Sequence, residues 1–293
     1  MPSAAELLDS ELIGEPIGEA LRDIPIPPCP GIIVSLMQES LNEQVDFLRV
    51  ARLVGGDVAL AASVLRAANS PFFGLRRKVQ TVQQAVSVLG LNHLLKIVYA
   101  HALRQSLGSG PPMERLWERS HFNAVVCSLL AQRYRGVSAE EAYCFGLFHD
   151  AGMAVLMQQF ADYKETLALA NARPVDPTRI EDERYRTSHV VVGALLARNW
   201  YLTADTVWAI RYQHDMSIFS VPNEHATRPV RSLVAMGSVS EHVVAWFLGY
   251  SDDAEWIRVR AAVLNYLNLD ENGLDRVAES LAPELREIQA SRA

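Results

Sequence analysis

The sequence predicts an all-α protein, and three features carry that prediction. Apolar residues recur at three- and four-residue spacing along almost the whole chain, no alternating run is bounded by hairpin turns, and the periodic stretches are punctuated by capping residues, glycines and prolines. With 293 residues, 49% of them hydrophobic and 21% charged, the chain can bury one large core or two smaller ones. Its 34 Asp+Glu against 27 Lys+Arg give a formal charge of -7, which argues against a general nucleic-acid binder, because such a protein needs a basic face to displace counterions from phosphates. The first residues, MPSAAELLDSELIGE, are acidic where a secretory signal is basic, and no stretch reads as the roughly 20 strongly apolar residues that span a bilayer. The expectation is a cytoplasmic protein without membrane contact. Cys29, Cys127 and Cys144 are odd in number, widely spaced and form no CxxC, so they read as core thiols.

Residues 1–20 read as an N-terminal extension, 21–108 as a first helical part, 113–250 as a helical bundle and 251–293 as C-terminal helices. After the proline-rich run Ile24 to Pro30, Ile33, Leu36, Met37 and Leu41 fall on one helical stripe, and Phe47, Val50, Ala51 and Val54 make the next, ending at Gly55-Gly56. Asp57 is placed to cap a helix with Leu60, Ala61, Val64, Leu65 and Ala68 inward, which stops at Asn69-Ser70-Pro71 because proline disfavours helix at the preceding residue. Thr81 caps the next, Gly90 ends it, and Asn92 opens a fifth. Gly108-Ser109-Gly110-Pro111-Pro112 is the clearest break. Beyond it a helix over about 113–134 carries His121 inward, and Ser138-x-x-Glu141 is a capping box opening a helix on which Ala142, Phe145, Gly146 and His149 share a face. One helix is expected to run through Tyr185, His189, Val192 and Leu196, and another to align Val207, Ile210 and Arg211 with His214. A polar loop over 222–229 and helices near 229–248, 254–268 and 273–289 complete the chain.

Four of the eight histidines, His121, His149, His189 and His214, thus fall on the apolar stripes of four separate predicted helices, and Asp150 directly follows one of them. Imidazole nitrogens with a carboxylate suit a borderline divalent metal such as Fe, Mn, Zn or Ni, and the helices of a bundle can converge such side chains. For any one histidine the plainer reading is a core residue satisfied by a single hydrogen bond, and it is the coincidence of four that points to a metal. Arg76-Arg77-Lys78, beside Phe72-Phe73-Gly74, offer charge and stacking to a nucleotide or an acidic partner surface, against the plainer reading of a solvated loop.

In these residues the chain resembles the HDOD domain proteins, a bacterial signalling branch of the HD phosphohydrolase superfamily. The likeness is carried by Ile26-Pro27-Pro28-Cys29-Pro30-Gly31, by Leu65-Arg66-Ala67-Ala68-Asn69-Ser70-Pro71-Phe72-Phe73-Gly74 and by Val88-Leu89-Gly90-Leu91. It continues through His121, Gly146-Leu147-Phe148-His149-Asp150-Ala151-Gly152, Ser188-His189 to Leu196, and Ala209-Ile210-Arg211-Tyr212-Gln213-His214-Asp215. It covers roughly residues 20–250. The resemblance implies an N-terminal helical subdomain packed on an HD-like bundle, with His121, His149 and Asp150 in the positions of the superfamily's first three metal ligands. His189 and His214 match additional histidines of its HD-GYP relatives.

This sequence departs from that pattern in three places. Ser238 stands where the last metal-binding aspartate is expected, Met153 replaces a lysine that often follows the HD pair, and Asp215-Met216-Ser217-Ile218-Phe219 contains no Gly-Tyr-Pro loop. A hydroxyl is a poor substitute for a charged ligand, so the leading expectation is a noncatalytic signal-output or scaffold protein. Its partners would be separate signalling proteins carrying receiver, kinase or second-messenger domains. The rival expectation is a metal-dependent phosphohydrolase acting on a nucleotide or cyclic dinucleotide, and a third is a sensor that binds a nucleotide without hydrolysing it.

Overall fold

The computed structural model describes residues 21, 23–42, 44–70, 73–75, 77–134, 136–171, 176–249 and 254–290. The expected N-terminal extension, Arg76, and Pro71-Phe72 lie outside the described residues. Among those described there are helices and no strands. The chain divides into two compact units, one of Pro28–Ser106 and one that joins the segment ending at Pro27 to Leu107 and all that follows.

In the smaller unit, α1 (Gly31–Ser40) follows Pro30, and α2 (Phe47–Gly55) opens on Asp46, whose carboxylate accepts from the Leu48 and Arg49 N–H groups at 3.0 Å each. α3 (Val58–Ala68) is capped by Asp57, which accepts from Leu60 N–H at 2.9 Å and also meets His101 and Gln105 of α4 at 3.1 and 3.0 Å. Leu41, expected on the inward stripe of α1, is 85% exposed because the helix ends at Ser40. Asn69 closes α3 and fastens the loop beyond it: its amide donates to the carbonyls of Leu65 and Val79, both at 2.9 Å, and its carbonyl accepts from Val79 N–H at 2.7 Å.

α4 (Val82–Leu107) is a merged pair of helices, bent where Gly90 adopts φ 67, a region open to glycine for lack of a Cβ. By length and composition α4 is long and apolar enough to cross a membrane, which the sequence reading did not expect. The bend divides it into stretches that each fall short of the roughly 20 residues a bilayer needs, and Val86, Leu94, Val98 and Leu103 are buried.

The larger unit is the bundle. Its helices are α5 (Pro111–Arg133), α6 (Ala139–Phe148), α7 (Ala151–Gln159), α8 (Tyr163–Asn171), α9 (Pro177–Tyr185), α10 (His189–Asn199), α11 (Ala204–Tyr212), α12 (Arg228–Phe247), α13 (Ala254–Leu267) and α14 (Glu271–Ala290). α5 packs on α6 and α12, α10 on α7 and α11, and α12 also on α11 and α13. The predicted Ser138 cap forms, accepting from Glu141 N–H at 3.1 Å. The single helix expected through Tyr185 and His189 is two, because Arg186 takes a left-handed conformation (φ 54) and ends α9. Trp200, fully buried, donates its indole N–H to Pro27 O at 3.1 Å and so fastens the leading segment to the bundle.

Two glycines set how closely the site-bearing helices approach. A Cβ at Gly152 would lie 2.0 Å from the His189 carbonyl oxygen, and one at Gly146 would lie 2.6 Å from the Asn123 carbonyl oxygen. Only a residue without a side chain permits either crossing. The result is that α7 meets the start of α10, and α6 meets the middle of α5.

Candidate metal centre and buried histidine network

His149 and Asp150 occupy the junction of two helices, where the sequence pattern had predicted a continuous face. His149 caps the C-terminus of α6 and Asp150 the N-terminus of α7, which turns both side chains into the bundle at 2% and 3% exposure. His149 Nδ1 faces Gly146 O at 2.9 Å and therefore carries a hydrogen. Its Nε2 lies 3.2 Å from Asp150 Oδ2, 3.5 Å from Glu241 Oε1 and 3.4 Å from the Asn123 side-chain nitrogen. Ser240 orients that amide by donating to Asn123 Oδ1 at 2.8 Å. Each of His149, Asp150 and Glu241 offers a ligand atom, and these atoms lie within 4.8 Å of one another. Burial works against charge on His149, but the adjacent Asp150 and Glu241 carboxylates outweigh it and hold the imidazole up to about 10. Burial likewise works against the Asp150 carboxylate, and the facing His149 overcomes it, pulling Asp150 below the usual carboxylate range. Asp150 Oδ1 is buried and has no hydrogen-bond partner.

A second group adjoins the first. His189, at the first turn of α10, directs Nδ1–H to Glu181 Oε2 at 2.7 Å, and its backbone N–H donates to the same oxygen at 2.8 Å. Tyr163 donates its hydroxyl to Glu181 Oε1. His214, in the turn after α11 rather than on it, directs Nδ1–H to Glu255 Oε1 at 2.5 Å, and Arg258 donates to that oxygen at 2.8 Å. The two rings then meet Nε2 to Nε2 at 2.9 Å, a distance that requires a hydrogen between them. Burial disfavours charge on His214, yet Glu255 raises it to about 9, while Glu255 is lowered to about 2 against its own burial by His214 and Arg258. His189 also helps to lower Asp150, and Glu241 helps to raise His214.

Of the residues singled out by sequence, His149 with Asp150 and His189 with His214 are thus brought together as two adjoining pairs. His121 is not among the three donors that cluster. It is half-buried on α5, two positions from both Arg119 and Asn123. Ser238 donates its hydroxyl to Val234 O at 3.1 Å along its own helix. Arg77 and Lys78 are exposed in the smaller unit. The sequence reading missed Glu181, Glu255, Asn123, Tyr163 and Glu241. For the last there was a signal, a carboxylate one helical turn after Ser238 within the apolar run of α12.

The fold and site together define a helical bundle built around a histidine–carboxylate core. A sequence profile of the HDOD domain matches residues 26–216, and the chain belongs to that family. It is 24% identical over 218 residues to an uncharacterized protein of Treponema pallidum, covering 73% of this chain and 42% of that protein. It is 29% identical over 131 residues to the cyclic di-GMP phosphodiesterase CdgJ of Vibrio cholerae, covering 44% of this chain and 30% of that protein. The chain thus spans less than half the length of either relative. A solved HDOD domain protein with unknown function from Geobacter sulfurreducens superposes with a TM-score of 0.70 at 23% identity, covering 97% of both chains, which shows the shared fold.

Proposed function

We propose that this chain is a noncatalytic HDOD signalling module that acts in the bacterial cytoplasm through contacts with receiver, kinase or second-messenger proteins. The observation that carries the reading is the closed contact between His189 and His214: each Nδ1 is committed to a carboxylate and each Nε2 to the other ring, 2.9 Å away. Neither ring has an Nε2 left to ligate a second ion or to donate to a phosphate. Ser238, bonded to its own helix, and Met153 in place of a lysine support the same reading, because neither can anchor an ion or steady charge on a phosphate oxygen. Burial supports it too, since a bulky diester would have to reach groups only 2–3% exposed.

One observation favours a metal-dependent phosphohydrolase instead. His149, Asp150 and Glu241 form a compact donor set with an unpartnered buried oxygen, and a divalent ion held there would supply Lewis-acid polarisation of a phosphoryl group. The full chain, purified without chelators, separates the two readings when assayed with cyclic di-GMP and with a chromogenic phosphodiester in the presence of Mn2+ or Fe2+. No turnover above that of Asp150→Ala is expected. Turnover that Asp150→Ala abolishes would overturn the noncatalytic reading.

A further inference from the structure

The sequence lacks an aspartate at Ser238, yet the bundle still holds two carboxylates against one imidazole. His149 donates from Nδ1 to Gly146 O, so in the neutral ring the lone pair on Nε2 would face Asp150 Oδ2 at 3.2 Å and Glu241 Oε1 at 3.5 Å. Three electron-rich atoms share that space only with a hydrogen or a metal ion between them. A hydrogen on Nε2 serves one oxygen of each carboxylate but leaves Asp150 Oδ1, which is buried and without a hydrogen-bond partner. A divalent ion accepts lone pairs from all three residues and can take both oxygens of Asp150. Arg119 is the other charge at this place; it is only half-buried and reaches Glu241 at 3.8 Å, so it does not fill the space.

We infer that Glu241, one turn beyond Ser238, supplies the acidic arm that Ser238 lacks and makes His149, Asp150 and Glu241 a site for a single divalent cation. Ser238 carries no charge, and its hydroxyl hydrogen points along its own helix to Val234 O. Ordinary helix geometry makes the exchange feasible: positions three apart lie on the same side of α12, and the longer glutamate side chain spans the extra distance. A second ion is not expected, because the histidines next to this site bond to each other through their Nε2 atoms. The inference goes beyond the noncatalytic reading and stands whether or not the bound ion supports turnover.

The test uses Mn2+ and the full chain, stripped with chelator and desalted near neutral pH. Free Mn2+ is followed by its electron paramagnetic resonance signal, and bound ion is counted by elemental analysis. One Mn2+ per chain is expected. Loss of an outer-shell partner of a metal typically weakens binding about tenfold to a hundredfold, and loss of a direct ligand in Glu241→Gln should cost at least as much, with Ser238→Ala unchanged. If Glu241→Gln fails to fold, Glu241→Asp, which retracts the carboxylate by one methylene, should fold and bind more weakly than the parent. Uptake of two ions, no uptake at millimolar Mn2+, or a Glu241 variant that folds and binds as tightly as the parent would overturn the inference.

Discussion

Glu181 shows how much one residue can hold in this bundle. Almost fully buried, it accepts from the His189 ring, the His189 backbone N–H and Tyr163. Burial alone would raise its carboxyl, but His189 and these donors keep it lowered and charged. Removing one partner of a buried charged network typically costs about 3–5 kcal/mol, most of it the desolvation of what is left behind. Glu181→Ala should lose that much in denaturant unfolding, and a loss under about 1 kcal/mol would show the network to be slack. His214 gives the corresponding pH dependence. Its ionised form is favoured in the fold, so its pairing with Glu255 contributes fully below the ordinary histidine value of 6.5 and is lost as the pH rises through about 9. Thermal stability should therefore step down across that interval, and His214→Gln should shrink the step to the part that His149, held up to about 10, still contributes.

Helix ends and helix crossings decide which side chains meet. Because α6 stops at Phe148 and α7 starts at Ala151, His149 and Asp150 are displaced from the regular face that periodicity assigns them. The crossing of α7 on α10 depends on Gly152. An alanine there would drive Cβ into the His189 carbonyl, which belongs to backbone and cannot swing aside. Overpacking of this kind commonly costs about 1–3 kcal/mol, and Gly152→Ala should reach or exceed the upper end, read by calorimetry. In the smaller unit Asp57 joins a helix cap to a tertiary contact. Its carboxyl is held down to about 2, first by the Leu60 N–H, with His101 and Gln105 adding to it. That contribution is present above the ordinary value of 3.8 and is lost as the pH falls through about 2. Asp57→Ala should cost about 1 kcal/mol, as N-cap losses do, and should flatten the acid limb of the unfolding curve. An unchanged acid limb would mean that the cap contributes nothing.

At the scale of the molecule, the bundle is where ligand linkage would be seen. An ion bound only by the folded state at a hundred times its dissociation constant adds about 2.7 kcal/mol. For a unit of this size that is roughly 5–10 °C in Tm. Mn2+ should raise the melting of the parent chain by that amount and leave Glu241→Gln unmoved, and equal shifts in both proteins would place the ion elsewhere.

The sequence by itself determined the helical class, many of the helix limits and the family. Those properties are written locally, in apolar spacing, in caps such as Asp57 and Ser138, and in breaks such as Gly90 and Gly108 to Pro112. It also marked His149-Asp150, His189 and His214 as inward-facing. Only the tertiary structure decided what those side chains are for. Glu181 and Glu255 reach their histidines from 8 and 41 residues away, and Gln213 bonds to the His149 carbonyl from 64 away. Such pairings are set by the angle and closeness of helix crossings, which no local pattern encodes. The same crossings place Glu241, rather than Ser238, against His149.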